Sequence, residues 1–114
     1  MTKLCKVLKM DLSNFYEQKY ENIIREKLIK LCINKRCLIF LFGSRACNTN
    51  YKGSDFDVGI LGLSDKEFYS VSSKFDEFLE ESIVPYNVDL INFNTVSPNF
   101  KKKALETIIT WKTD

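Results

Sequence analysis

The stretch from Leu41 to Leu61, LFGSRACNTNYKGSDFDVGIL, gathers residues able to handle a charged phosphate. Asp55 and Asp57 stand two apart ahead of an apolar run, and on a strand that spacing puts both carboxylates on one face. Two like charges so close repel unless a cation sits between them. Asp89 interrupts VDLI, the most apolar part of a later run, where an ionised carboxylate is costly to bury unless it is paired or bound to metal. Three acids, with no histidine in the chain, favour a hard cation with oxygen ligands, Mg²⁺ or Mn²⁺. Upstream, Gly43 and Ser44 cut off the run CLIFLF. A strand that stops there and enters a short helix presents free N–H groups and a hydroxyl, and glycine lets a phosphate approach the backbone closely. The stretch is neither a Walker A loop nor a Gly-x-Gly-x-x-Gly turn. A cation bridging the aspartates to the phosphates of a nucleotide is the chemistry these residues suggest together. Singly, each has a plainer reading: Asp55 as a turn residue after Gly53-Ser54, Asp89 facing solvent on an edge strand, Gly-Ser as a chain reversal. Their coincidence favours the metal and phosphate reading.

The elements that must position these residues follow from patterning. Asn14 with Glu17 resembles a capping box, and Tyr16, Tyr20, Ile23, Ile24, Leu28 and Leu31 then fall at helical spacing, predicting a helix that ends near Asn34. Residues 1–13 read as an extension or a first edge element, ahead of one domain over residues 14–114. Cys37 to Phe42 is a continuous apolar run, suited to a strand buried on both faces. DFDVGIL predicts a second strand. Ser64 and Glu67 form a second capping box, opening a helix with Phe68, Val71, Phe75, Phe78 and Leu79 on one face. YNVDLINF predicts a third strand, able to lie parallel beside the second because the helix carries the chain back. Ser97-Pro98 then opens a last helix, with Phe100, Ala104, Leu105, Ile108 and Ile109 as its apolar face. The expected fold is a small mixed sheet flanked by helices, of the α/β or α+β class.

At 114 residues the chain has room for one hydrophobic core. Seventeen basic against fifteen acidic residues leave a net charge of +2. Without an aromatic–basic stripe, that near balance gives no footprint for nucleic acid. Lys101, Lys102 and Lys103 read as a solvated helix face, with a contact to a partner or a phosphate as the alternative. Cys5, Cys32, Cys37 and Cys47 contain no Cys-x-x-Cys pair, so neither a zinc site nor a disulfide framework is indicated. The first ten residues lack the continuous apolar core of a signal peptide, and no window reaches transmembrane length. A reducing cytoplasm with free, mostly buried thiols is the expected setting.

GSRA, GSDFDVGI and VDLI, taken in that order, resemble the polymerase-β-type nucleotidyltransferase superfamily, over roughly Phe40 to Phe93. The small size resembles the minimal nucleotidyltransferases, which are commonly antitoxin partners of HEPN-domain toxins. The resemblance implies that Gly43 and Ser44 bind the terminal phosphates of an incoming nucleotide. It implies that Asp55, Asp57 and Asp89 hold Mg²⁺ or Mn²⁺, with Asp89 helping to deprotonate the acceptor. It further implies transfer of AMP from ATP to a tyrosine of a cognate HEPN toxin, with pyrophosphate leaving. Two positions depart from the pattern: Asn48 stands where many relatives have glycine, and Cys47 where a basic residue is frequent. Asparagine tolerates left-handed backbone, so the turn survives, and the missing cation leaves Arg45 or Lys52 as substitutes toward the triphosphate, with a solvent-exposed helix position as the plainer reading of Arg45. The rival readings are an antitoxin that neutralises by binding alone, and a small-molecule nucleotidyltransferase of the aminoglycoside type.

Overall fold

The computed structural model describes residues 2–50 and 53–114, with side chains from residue 16 onward. Helix α1 (Thr2–Leu31) leads into β1 (Leu38–Phe42), and a 3-10 turn (Gly43–Arg45) follows. Then come β2 (Phe56–Leu61), α2 (Asp65–Glu81), β3 (Val88–Asn92), α3 (Pro98–Ala104) and β4 (Ile109–Lys112). The strands form one mixed sheet in the order β3-β2-β1-β4. β1 runs antiparallel to both β2 and β4, whereas β2 and β3 are parallel, joined by the α2 crossover.

Two helix ends match their sequence signals. Ser64 accepts from the Glu67 N–H while the Glu67 carboxylate accepts from the Ser64 N–H, completing a capping box. Ser97 caps α3 by accepting from the Phe100 N–H, with Pro98 in the first turn. Two expectations are corrected. The helix does not start at Asn14: α1 runs unbroken from Thr2, because residues 2–31 contain no glycine or proline to stop it. The last helix ends at Ala104, and Ile109 belongs to a fourth strand instead. Isoleucine, threonine and tryptophan in ITWK favour extended backbone, and the otherwise open edge of β1 supplies the hydrogen-bonding partner.

Alternation along the strands sorts side chains onto two faces. Ile39 and Leu41 of β1 and Phe56, Val58 and Ile60 of β2 join Ile24 and Leu28 of α1 and Val71 and Phe75 of α2 in the larger core. Tyr16, expected on the buried stripe of α1, is instead 54% exposed. Cys32 and Cys37 are buried in this core; burial, then the neighbouring Cys37, pushes the Cys32 thiol up to about 12, so it behaves as an inert apolar group. Cys47, by contrast, is exposed. The second face carries Phe40, Phe42 and Phe93, with Ala104, Leu105 and Ile108 packed on them. Phe40 meets Phe93 edge-on with ring centroids 4.8 Å apart. Asp57 and Asp89 share the parity of this second face.

Among the described residues no helix is long and apolar enough to cross a membrane. Gly59 is the tightest position in the second core: a Cβ there would fall 2.5 Å from Phe40 Cζ and 2.6 Å from Phe93 Cε1. Two interlocked aromatic rings cannot both retreat. Gly59→Ala is expected to lower the urea midpoint by the equivalent of about 1–3 kcal/mol with an unchanged m-value, measured by equilibrium denaturation.

Candidate functional site

The parallel pairing of β2 with β3 sets Asp57 directly beside Asp89. Residues paired in register point to the same side of a sheet, so the two carboxylates stand together on the face that α3 only partly covers. Asp55, two residues earlier and just ahead of β2, is exposed and shares their parity. Burial first, then the charges of Asp89 and Asp55 and a hydrogen bond with Asp89, raise the Asp57 carboxyl above its ordinary value of 3.8. No lysine or arginine among the described residues forms an ion pair with any of the three. Nor, among the described residues, does any group of three or more His, Cys, Asp or Glu side chains form a ready-made cage for a metal ion. Asp57 and Asp89 share a hydrogen bond, and the charge of Asp55 acts on Asp57 as well.

The antiparallel β1–β2 pair brings the Gly-Ser turn to the same place. Phe42 pairs with Asp57, so the residue after it, Gly43, lies beside that carboxylate. Gly43 adopts φ +73, and a Cβ on it would fall 2.5 Å from Asp57 Oδ2. The positive φ favours glycine, and its missing side chain lets the carboxylate approach closely. The carbonyl of Gly43 accepts from the N–H groups of Ala46 and Cys47, and that of Ser44 from Thr49, closing the turn into a compact loop. Asn48 takes φ +58, as the left-handed tolerance of asparagine allows.

Arg45 is turned into the protein. Its guanidinium donates from Nε and Nη2 to the Ser54 carbonyl at 3.0 and 2.6 Å, and only 5% of its side chain is exposed. It lies flat over Phe56, 3.8 Å from the ring centroid, and 5.2 Å from that of Tyr86. Nη1 faces Glu17 of α1 at 3.9 Å, and the other Glu17 oxygen is buried without a hydrogen-bond partner. Burial, then Glu17, raises the Tyr86 phenol above 10.0. Arg45 thus ties the Gly-Ser turn to the backbone just before Asp55 and to the aromatic residue between the two aspartates. Sequence reading left this role unassigned; the hint it offered was an arginine one residue past the turn and an aromatic at the following strand. Lys52 lies outside the described residues.

Two hollows flank the carboxylates. One, of about 410 Å³, is lined by Asp55 and Asp89 together with Glu80, Tyr86 and Asn87 along the β3 edge. The other, of about 350 Å³, lies between the Gly43 turn and α3.

The raised Asp57 carboxyl makes stability depend on pH. Its folded value is raised, so the folded state holds that proton more tightly than the unfolded chain, and stability falls as pH climbs from 3.8 through the raised value. In metal-free protein, Asp57→Asn is expected to raise the melting temperature at pH 7, with the gain vanishing below about pH 3.8. Differential scanning calorimetry across that window checks it. Arg45→Lys keeps the charge but loses the flat stack and the paired donation. A loss of about 1.5–3 kcal/mol in urea denaturation is expected.

Several solved structures share this fold. A chain of a toxin–antitoxin crystal structure with AMP-PNP superposes with a TM-score of 0.56 at 23% identity, covering 79% of this chain and 73% of that one. A chain of the complex of tri-AMPylated Shewanella oneidensis HEPN toxin with MNT antitoxin gives 0.54 at 20% identity, covering 82% and 72%. A chain of an MntA–HepT toxin–antitoxin complex gives 0.53 at 20%, covering 82% and 73%. No curated protein sequence matches the chain. The family described as polymerase beta, nucleotidyltransferase, matches residues 26–112, a span that takes in all four strands, the Gly-Ser turn and the three aspartates. The chain belongs to the polymerase beta nucleotidyltransferase family.

Proposed function

We propose that this protein is the antitoxin of a HEPN toxin pair and transfers AMP from ATP to a tyrosine hydroxyl of that toxin. The observation that carries the reading is the convergence of Asp57, Asp89 and the Gly43 turn at one end of the sheet. The donor set is all oxygen, and the Asp57 carboxylate is crowded by like charges with no protein cation beside it among the described residues. Such a site fits a hard divalent cation. Asp55, Asp57 and Asp89 would hold Mg²⁺ or Mn²⁺, and Asp55 would have to swing toward the other two to complete the set. The ion, when bound, neutralises charge on the phosphates and makes the attacking hydroxyl easier to deprotonate.

The remaining chemistry falls to the residues of the chain. Gly43 and Ser44 would receive the β- and γ-phosphates on the turn's N–H groups and hydroxyl. The groove along the β3 edge would admit the acceptor tyrosine next to Asp89. Its oxygen attacks the α-phosphorus, the bond from that phosphorus to the bridging oxygen breaks, and pyrophosphate departs. A tyrosine hydroxyl titrates near 10, so a carboxylate alone is a weak base for it; Asp89 orients the hydroxyl and accepts its proton. The identity of the acceptor draws support from the solved neighbours, one of which holds a tri-AMPylated HEPN toxin and another AMP-PNP.

A second reading, neutralisation by binding alone, is favoured by exposed Cys47 in place of a basic residue and by the lack, among the described residues, of a three-ligand cluster already set for a metal. Intact mass of the toxin encoded beside this chain, after incubation with ATP and Mg²⁺, separates the two. One or more added AMP units are expected with the wild-type chain. Asp57→Asn should slow the addition by more than the roughly 10–100-fold that loss of an outer partner of a metal ligand costs. A stable complex with no added mass would leave binding alone as the function.

A further inference from the structure

The hollow between the Gly43 turn and α3 takes no part in the assignments above. Its walls include Phe42, Gly43, Cys47, Phe100, Lys103 and Glu106. It lies on the same side of the sheet as the carboxylates, because Phe42 is the cross-strand partner of Asp57. Gly43 joins the two places: it lines the hollow and also abuts the Asp57 carboxylate. A molecule held by its phosphates at the turn therefore has this hollow within reach of its other end. About 350 Å³ is the size of a small-ligand pocket.

The wall chemistry narrows the occupant. Phe100 is 45% exposed, a large apolar residue left open on a short helix. Its ring is braced from behind, 6.0 Å from Phe42 and 5.8 Å from Phe93, so it is a fixed platform and not a loose side chain. Lys103 and Glu106 stand on the same wall, and among the described residues neither has an ion-pair partner. An aromatic platform with one free cation and one free carboxylate suits a flat heterocycle that carries a donor group and is attached to phosphates.

We propose that this hollow seats the nucleoside of the donor nucleotide, with the base on Phe100, Lys103 toward the α-phosphate and Glu106 selecting adenine. Adenine presents an amino donor at the position where guanine presents a carbonyl acceptor, so a carboxylate facing that edge accepts from the first and repels the second. Of the three consecutive lysines, Lys103 is the one that lines the hollow. The assignment rests on the nucleotidyl-transfer reading and adds to it the residues that recognise the base.

The test is nucleotide binding by the full chain, without any acceptor. Isothermal titration with AMP-PNP and with GMP-PNP, in the presence of Mg²⁺, is expected to show preference for the adenine compound. Phe100→Ala should weaken AMP-PNP about tenfold, the scale of one lost base–aromatic stack. Glu106→Gln, at an exposed position, should shrink the preference over GMP-PNP about tenfold, since an amide can also donate to the guanine carbonyl. Should Phe100→Ala fail to fold, the Glu106→Gln ratio decides alone. Unchanged affinity and preference in folded variants, alongside AMP transfer by the wild-type chain, would overturn the pocket and leave the transfer reading standing. A wild-type chain that binds neither nucleotide would remove both.

Discussion

The parallel register of β2 with β3 places Asp57 beside Asp89, and no basic side chain among the described residues answers their charge. In a folded domain such a placement works against stability, because burial and like charge both disfavour ionised Asp57. The surrounding structure must be stable enough to hold it. The larger core does so by packing α1 and α2 against one face of the sheet, where the fully buried Phe75 would alone cost about 3–5 kcal/mol on truncation to alanine. The opposite face is finished less completely. α3 covers its apolar part and leaves the acidic end open, and that asymmetry makes room for a ligand beside the carboxylates.

Arg45 shows how the loop is kept in place by contacts within the protein. Its two donations to the Ser54 carbonyl and its stack on Phe56 join the turn after β1 to the start of β2. Tyr86, edge-on to Phe56 and also beside the guanidinium, extends the contact to the residues just before β3. One buried cation thus touches the approach to every strand that bears a site residue, and α1 closes over it through Glu17. A lysine could carry the charge, but only a planar guanidinium can lie on a ring and fork onto a carbonyl together.

Gly43 is the point where backbone and carboxylate come closest. Its positive φ turns the chain sharply at the end of β1, and its missing side chain leaves space for the Asp57 oxygen. The turn and the Asp57–Asp89 pair are consequently contiguous, with one hollow beside the turn and the other beside Asp89.

Local chemistry made much of this legible in the chain itself. The Gly-Ser break after CLIFLF, the Asp-x-Asp spacing, the two serine caps and the alternation of β2 and β3 are decided within a few residues, by φ preference, side-chain parity and capping. Long-range contacts decided the rest. Asn14 with Glu17 has the pattern of a helix start, yet nothing nearby breaks the helix, and Glu17 lies against Arg45 instead. Ile108 and Ile109 continue a helical pattern, but the unpaired edge of β1 draws Ile109–Lys112 into a strand, because hydrogen-bonding an open edge outweighs a weak local preference. Whether Arg45 met phosphate or protein, and whether Lys103 met solvent or a pocket wall, depended on which distant residues folded against them, and no spacing along the chain encodes that.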